Sequence, residues 1–362
     1  MNQNKYSEYK IAYFPEKLQS FMNGTIAAPI YVRVKPINRC DHSCFFCVYS
    51  TGFRKNDKKE THIISGMHTD MVHEDIIPTE KMIEILDDFR DMGVKAVTYS
   101  GGGEPLMHRD ITRIMQTTLD HGIDLSIITN GQMLLKQRAE VLANAKWVRV
   151  SIDYTTAQQM AASRAVPEKN FDMILSNLSS FARIKDPNCD LAVNYIIHRD
   201  NYKGIFEFAR TLKNLGVENV RFSPMWVPDL VAYHTPIVEA VREQLDKASE
   251  LLDDKFSVNT TYNIESPTHS PVRTYHKCYF MQIVPVIGAD QIVYSCHNKA
   301  YDHTGAIGSI RNRRFKDFWY SDDARRVFEN LDPSTACRHQ CANDGKNLFI
   351  KGLVETSIDN FV

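Results

Sequence analysis

From residue 30 onward, short apolar runs alternate with longer stretches whose apolar positions recur every three to four residues. The short runs read as strands and the longer stretches as helices. The pattern predicts strands at 30–34, 94–99, 124–129, 147–152, 191–197 and 217–223. Helices are predicted between and after them at 79–92, 111–119, 133–143, 171–184, 201–215 and 236–252. The helix over 79–92 is the clearest. Pro78 precedes it, Thr79 can cap it, Met82, Ile85, Leu86 and Phe89 share one face, and Gly93 stops it.

Six strand–helix units call for a parallel sheet, because each helix supplies the crossover that parallel strands need. The fold class is α/β: a partial (β/α)6 TIM-like barrel, short of a full eight-fold one. In such barrels chemistry sits at the C-terminal ends of the strands. A lead of residues 1–29, with an amphipathic helix over 14–22, comes before a core of 30–255. After it, apolar runs on either side of Gly288-Ala289-Asp290-Gln291 read as a β-hairpin, and 315–328 as an amphipathic helix. They make 256–345 a small α+β domain, with 346–362 as a tail. Residues 48–78 interrupt the pattern. This polar stretch carries His62, His68 and His73 at spacing too loose for a convincing metal site, and it reads as a lid or a surface insertion.

Composition narrows the function. The chain has 362 residues, 43% hydrophobic and 24% charged, with a net charge of -1. That balance fills a core and supplies no global basic field for nucleic acid or an anionic membrane. No apolar run is long enough to cross a bilayer, and the first residues lack a signal-peptide core, so the chain reads as cytoplasmic. Eight cysteines in a reducing compartment point to metal binding or catalysis before disulfides.

Three of those cysteines, Cys40, Cys44 and Cys47, stand at x3 then x2 spacing just past the first strand. Three thiolates on one tight loop can face a single iron–sulfur cube and leave one iron open. A zinc site is the alternative. It wants a fourth ligand at short spacing, and His42, inside the loop, would strain it. Other strand ends carry further candidates. Gly101, Gly102 and Gly103 let the backbone approach a ligand closely, and Glu104 can accept from a cation. Ser151 and Asp153 fall on one side at period two and offer a hydroxyl and a carboxylate. Thr129-Asn130-Gly131 suits a turn. Arg221, Tyr195 and His198 are candidates at the barrel mouth, with no proton-transfer role assignable. Cys278, Cys296, Cys337 and Cys341 follow the barrel. The hairpin brings Cys278 near Cys296, so four thiols can converge on a structural zinc or on a second, fully ligated cluster.

With Phe46 just before the third cysteine, Cys40-x3-Cys44-x2-Cys47 resembles the signature of the radical S-adenosylmethionine (SAM) superfamily. The resemblance spans roughly residues 30–345. It implies that the open iron chelates SAM, and that reductive cleavage yields a 5′-deoxyadenosyl radical that takes a substrate hydrogen atom. It further implies that Gly102, Gly103 and Glu104 hold the methionine ammonium and that Ser151 and Asp153 meet the ribose. By the same resemblance Arg164 meets the SAM carboxylate and Asn194 the adenosyl or substrate side. The C-terminal cysteines resemble the twitch form of the SPASM auxiliary-cluster domain, although x3 spacing between Cys337 and Cys341 departs from the commoner x2. The implied cofactors are a SAM-binding 4Fe–4S cluster, an auxiliary 4Fe–4S cluster and SAM, with flavodoxin or ferredoxin as electron donor.

The twitch layout resembles the aminocyclitol dehydrogenase branch, which implies oxidation of a secondary alcohol on a small sugar-like or cyclitol substrate, free or on a nucleotide. Three rivals stand beside it. A peptide-modifying maturase would need recognition that the short lead does not supply. An epimerase would need a hydrogen donor, for which Cys189 is the spare thiol. A zinc-stabilised binding module would leave the Gly-Gly-Glu and ribose-like motifs unexplained.

Overall fold

The computed structural model describes residues 8–49, 70–227, 229–265, 272–337 and 341–356. The strands are β1 (Tyr31–Val34), β2 (Ala96–Tyr99), β3 (Asp124–Thr129), β4 (Trp147–Ser151), β5 (Asp190–Ile197), β6 (Asn219–Pro224), β7 (Ser257–Thr260), β8 (Val286–Ile287), β9 (Ile292–Tyr294) and β10 (Ala306–Ser309). They form one sheet in the order β10-β9-β8-β1-β2-β3-β4-β5-β6-β7. The pairs from β1 to β7 are all parallel.

The six predicted strands are present, and the crossover helices include Thr79–Met92, Ile111–Asp120, Asn170–Ile184 and Ile205–Asn214. Gly93 ends the first of these in a left-handed conformation. Along each strand the outward residues pack under helices. Val32 and Val34, Val97 and Tyr99, Val148 and Val150, and Val193, Tyr195 and Ile197 are fully buried. The intervening residues Arg33, Arg149, Ser151, Asn194 and Arg221 are half-buried and face the lumen. These strands therefore alternate, where a parallel sheet covered on both faces reads as continuous apolar runs.

Several elements differ from the sequence reading. A seventh parallel strand, β7, continues the sheet past residue 255. A helix at Ala157–Arg164, capped by Thr156, precedes Asn170–Ile184. The predicted helix over 315–328 is two, Phe315–Trp319 and Asp322–Asn330, because Ser321 caps the second and Asp322 and Asp323 suit its first turn. Pro285 shortens the first hairpin strand to Val286–Ile287, since proline has no N–H for the ladder. The tail carries a helix, Asp344–Glu355, that packs its Ile350 with Ile11, Phe21, Tyr279, Ile283 and Val284.

The hairpin is not a separate sheet. β8 pairs parallel with β1, and Arg33 and Lys35 donate their backbone N–H to Pro285 (3.1 Å) and Ile287 (2.8 Å). The architecture is a partial TIM-like barrel whose β1 edge is extended by the small C-terminal unit. Among the described residues no helix is long and apolar enough to cross a membrane. His62 and His68 lie outside the described residues.

Candidate functional site

One cavity of about 740 Å³ opens at the C-terminal ends of the strands. Cys40, Cys44 and Cys47 line it together, as do Phe46, Gly102, Gly103, Glu104, Ser151, Arg164, Asn194 and Arg221. The cysteine loop is held from behind. Ser43 and Phe45 donate their N–H to the carbonyls of Arg164 (2.8 Å) and Ser163 (3.0 Å), at the end of the helix Ala157–Arg164. His42 also lines the cavity, with its Nε2 3.0 Å from the Gln132 amide oxygen. Burial pushes the Cys40 thiol well up, and the charges of Glu104 and Cys44 push it further. A thiolate there needs a positive partner, which a metal cluster supplies.

The glycine loop after β2 packs directly on the start of the cysteine loop. Gly103 donates to Ile37 O (3.0 Å) and Glu104 to Arg39 O (2.9 Å). A Cβ on Gly102 would overlap the Asn38 side chain, and one on Gly103 the Arg39 carbonyl. Glu104 is buried. Its Oε1 accepts from Leu106 N (3.1 Å) and Thr129 Oγ1 (2.7 Å), and its Oε2 from Asn130 N (2.7 Å). Burial nevertheless raises its pKa to about 7. Thr129-Asn130 is thus the cradle of Glu104, and Asn130 Nδ2 also donates to Asp41 in the cysteine loop (2.6 Å).

Further round the barrel, Ser151 on β4 is level with Asn194 on β5, which is level with Arg221 on β6. Asp153 departs from expectation. β4 ends at Ser151, and beyond it the Asp153 carboxylate turns into the protein, almost fully buried, where it accepts from Arg164 Nε (3.0 Å) and Nη2. It does not line the cavity beside Ser151. Arg164 lines the cavity while its guanidinium is engaged by Asp153 and lies 5.8 Å from the Phe46 ring centroid.

Three catalytic candidates lie elsewhere. Tyr195 is on the outer face of β5, between Phe208 and Phe222, and donates to Asn201 O (2.9 Å). His198 is buried against the Phe45 and Phe46 rings, supporting the cysteine loop from behind. Cys189 precedes β5, at the N-terminal end of the barrel, with its thiol 3.7 Å from Leu142 O. That position is small apolar filling, away from the lumen, so it offers no hydrogen atom to the cavity. Sequence reasoning missed Arg33, Arg149 and Tyr49, which also line the cavity, and Lys35, whose buried Nζ donates to Tyr49 Oη (2.9 Å) and Gly101 O. The signal available for the arginines was their even spacing with inward positions on the strands.

The second cysteine set converges. Burial raises all four thiols, Cys296 to about 12. Cys278 then feels Cys296, Cys341 and Cys337, and Cys296 feels Cys341 and Cys337. Among the described residues no three His, Cys, Asp or Glu side chains close around the position of a single metal ion. Four thiols in one place suit either a zinc ion or a fully ligated four-iron cube. Cys296 and Cys341 line a second cavity of about 340 Å³, and Arg33, His297, Asn298 and Ala342 form a wall common to both cavities.

Residues 34–212 match the radical SAM superfamily, and this match supports a radical SAM enzyme. That family uses a 4Fe–4S cluster and SAM. The chain is 24% identical over 225 residues to a probable GTP 3′,8-cyclase of Methanococcus maripaludis, covering 61% of this chain and 68% of that protein. It is 20% identical over 230 residues to the PqqA peptide cyclase of Bradyrhizobium diazoefficiens, covering 64% of this chain and 55% of that one. Among solved structures, Streptococcus suis SuiB bound to precursor peptide SuiA superposes with a TM-score of 0.63 at 14% identity, covering 96% of this chain and 78% of SuiB. Native anSMEcpe with bound AdoMet gives 0.58 at 13% identity, covering 83% of each chain.

Proposed function

We propose that this protein oxidises a secondary alcohol of a sugar, cyclitol or nucleotide sugar, with the auxiliary cluster as electron acceptor. The observation that carries this reading is the wall common to the two cavities. His297 and Asn298, directly after Cys296, line the main cavity, so the second thiol set stands beside the substrate space. Its four cysteines supply all the ligands a cube needs, which suits an electron acceptor better than a substrate ligand.

In this reading Cys40, Cys44 and Cys47 hold the SAM-binding cluster, and Cys278, Cys296, Cys337 and Cys341 the auxiliary one. Bound there, the groups supply reductive cleavage of SAM, hydrogen-atom abstraction and a sink for the second electron. Gly102 and Gly103 let the ligand lie against backbone, and Glu104, already fixed by three donors, presents its carboxylate to the SAM ammonium. Ser151 and Asn194 offer a hydroxyl and an amide to ribose or substrate hydroxyls. Phe46 and the glycine loop exclude water from the reacting centre. Flavodoxin or ferredoxin is the proposed reductant.

Peptide modification is the second reading, favoured by the peptide cyclase among the relatives. Incubation of reduced holoenzyme and SAM with deuterated sugars, nucleotide sugars and peptides distinguishes the two. Deuterium moves into 5′-deoxyadenosine from an alcohol carbon in the first case. Transfer from peptides alone refutes alcohol oxidation.

A further inference from the structure

Gly101, Gly102 and Gly103 have no side chains with which to fix their own loop, and glycine has the widest backbone freedom of any residue. The loop's shape must therefore come from its neighbours. Gly103 and Glu104 are held by the carbonyls of Ile37 and Arg39, on the approach to the cysteine loop. The other end is held differently. The Gly101 carbonyl accepts from Lys35 Nζ, and Gly102 lies against the Asn38 amide oxygen and, where its Cβ would be, 3.0 Å from Tyr301 Oη.

Tyr301 is fully buried and belongs to the C-terminal unit, on the connection between β9 and β10. Its hydroxyl accepts from Ala289 N in the hairpin turn (3.0 Å) and donates to Asn38 Oδ1, while Asn38 Nδ2 donates to Val72 O (2.7 Å). Both ends of the Asn38 amide are thus fixed, with the oxygen toward Gly102. Lys35 is fully buried as well, and its Nζ lies 5.9 Å from the Tyr301 ring centroid and 2.9 Å from Tyr49 Oη. The Tyr301 backbone sits at φ 63°, a left-handed conformation that a bulky residue seldom adopts. Strain of this kind persists where the surroundings impose it, and it gathers at ligand clamps.

We propose that Lys35 and Tyr301 are positioning residues for SAM. They fix the glycine loop that meets its methionine ammonium, so the C-terminal unit supplies part of the SAM site. The inference rests on the reading that Gly102, Gly103 and Glu104 hold SAM, and it adds what holds them.

The test is SAM affinity, by equilibrium dialysis with anaerobic, cluster-loaded enzyme, together with the change that SAM causes in the paramagnetic resonance spectrum of the reduced protein. Tyr301→Phe keeps the ring and removes the hydroxyl, and Lys35→Met removes the donor to Gly101 O. Each should weaken SAM binding about tenfold and diminish the spectral change at a fixed SAM concentration, with iron content unchanged. Tyr294→Phe is the control. It removes a buried hydroxyl bonded to Asp290 Oδ2 (2.5 Å) next to Tyr301, and Tyr294 is not among the neighbours of Gly101, Gly102 or Gly103. It should lower the melting midpoint and leave SAM affinity native. Where Lys35→Met does not load its clusters, Tyr301→Phe decides. Native SAM affinity in Tyr301→Phe, or an equal loss in Tyr294→Phe, overturns the proposal. Glu104→Gln separates this from the reading beneath it. Native SAM affinity in Glu104→Gln refutes the glycine-loop SAM site itself, whereas a loss there with native affinity in Tyr301→Phe refutes the positioning role alone.

Discussion

Replacing Gly103 with alanine adds one methyl group at the place where the glycine loop meets the cysteine loop. The new Cβ would overlap the backbone carbonyl of Arg39, directly before Cys40, and would also crowd Asn38. A backbone carbonyl has no rotamer to move, so the two loops must separate by about 1 Å or more. Separation strains or breaks the bonds Gly103 N→Ile37 O (3.0 Å) and Glu104 N→Arg39 O (2.9 Å). Overpacking costs about 1–3 kcal/mol, and each buried group left without its partner about 1–3 kcal/mol more. A local penalty of about 3–9 kcal/mol follows, concentrated where Cys40 and Glu104 are placed. The assay is iron content, SAM affinity by equilibrium dialysis and melting midpoint, each against Gly352→Ala. Gly352 lies in the helix Asp344–Glu355 with nothing within 4 Å of an added Cβ, so alanine there should be neutral or slightly stabilising. Gly103→Ala should lose SAM binding and most of the iron held by Cys40, Cys44 and Cys47, while the auxiliary set stays loaded. Native iron content and SAM affinity in Gly103→Ala would refute the close-packing argument.

Further predictions address the other parts of the molecule. Replacing Cys278 and Cys296 together with serine should lower iron from about eight to about four per chain; unchanged iron sinks the auxiliary assignment. Trp319 is fully buried, stacks on Phe315 at 5.5 Å and donates Nε1 to Ala27 O at 3.0 Å. Trp319→Ala should therefore cost about 3–5 kcal/mol in denaturant unfolding, and a loss under about 1 kcal/mol would contradict that packing. Burial lowers the Lys17 ammonium to about 7 from the ordinary 10.5. Between those values the unfolded chain binds a proton that the folded one does not, so stability rises with pH by up to about 1.4 kcal/mol per unit. The melting midpoint of the native protein minus that of Lys17→Met should increase from pH 7 to pH 9, and a flat or falling difference would show that Lys17 keeps its proton.

What could be read from the residues alone was whatever rests on short spacing. Cys40, Cys44 and Cys47 sit on one loop, Gly102 to Glu104 are contiguous, and the helix over Thr79–Met92 declares itself by period and by Gly93. Asp153 was misplaced because the period-two argument holds only inside a strand, and β4 ends two residues earlier; Arg164, eleven residues on, then captures the carboxylate. Tyr195 and Arg221 looked alike at the barrel mouth, yet one is on the outer face of its strand and the other inward. Arg33, Arg149 and Arg221 are far apart in sequence and line one cavity only because the sheet curls, so no local pattern groups them. β7 is short and polar, Ser-Val-Asn-Thr, and forms because β6 offers it an edge, a tertiary cause invisible in its own composition.

The parallel ladder between β1 and β8 means that the C-terminal unit cannot be cut away to leave a working core. Removing it would strip the hydrogen-bond acceptors from Arg33 and Lys35 and turn β1, the strand that delivers the cysteine loop, into a bare sheet edge open to pairing with other chains. Dissecting one cluster from the other therefore calls for single-residue changes at the thiols, since truncation would destroy the floor beneath both.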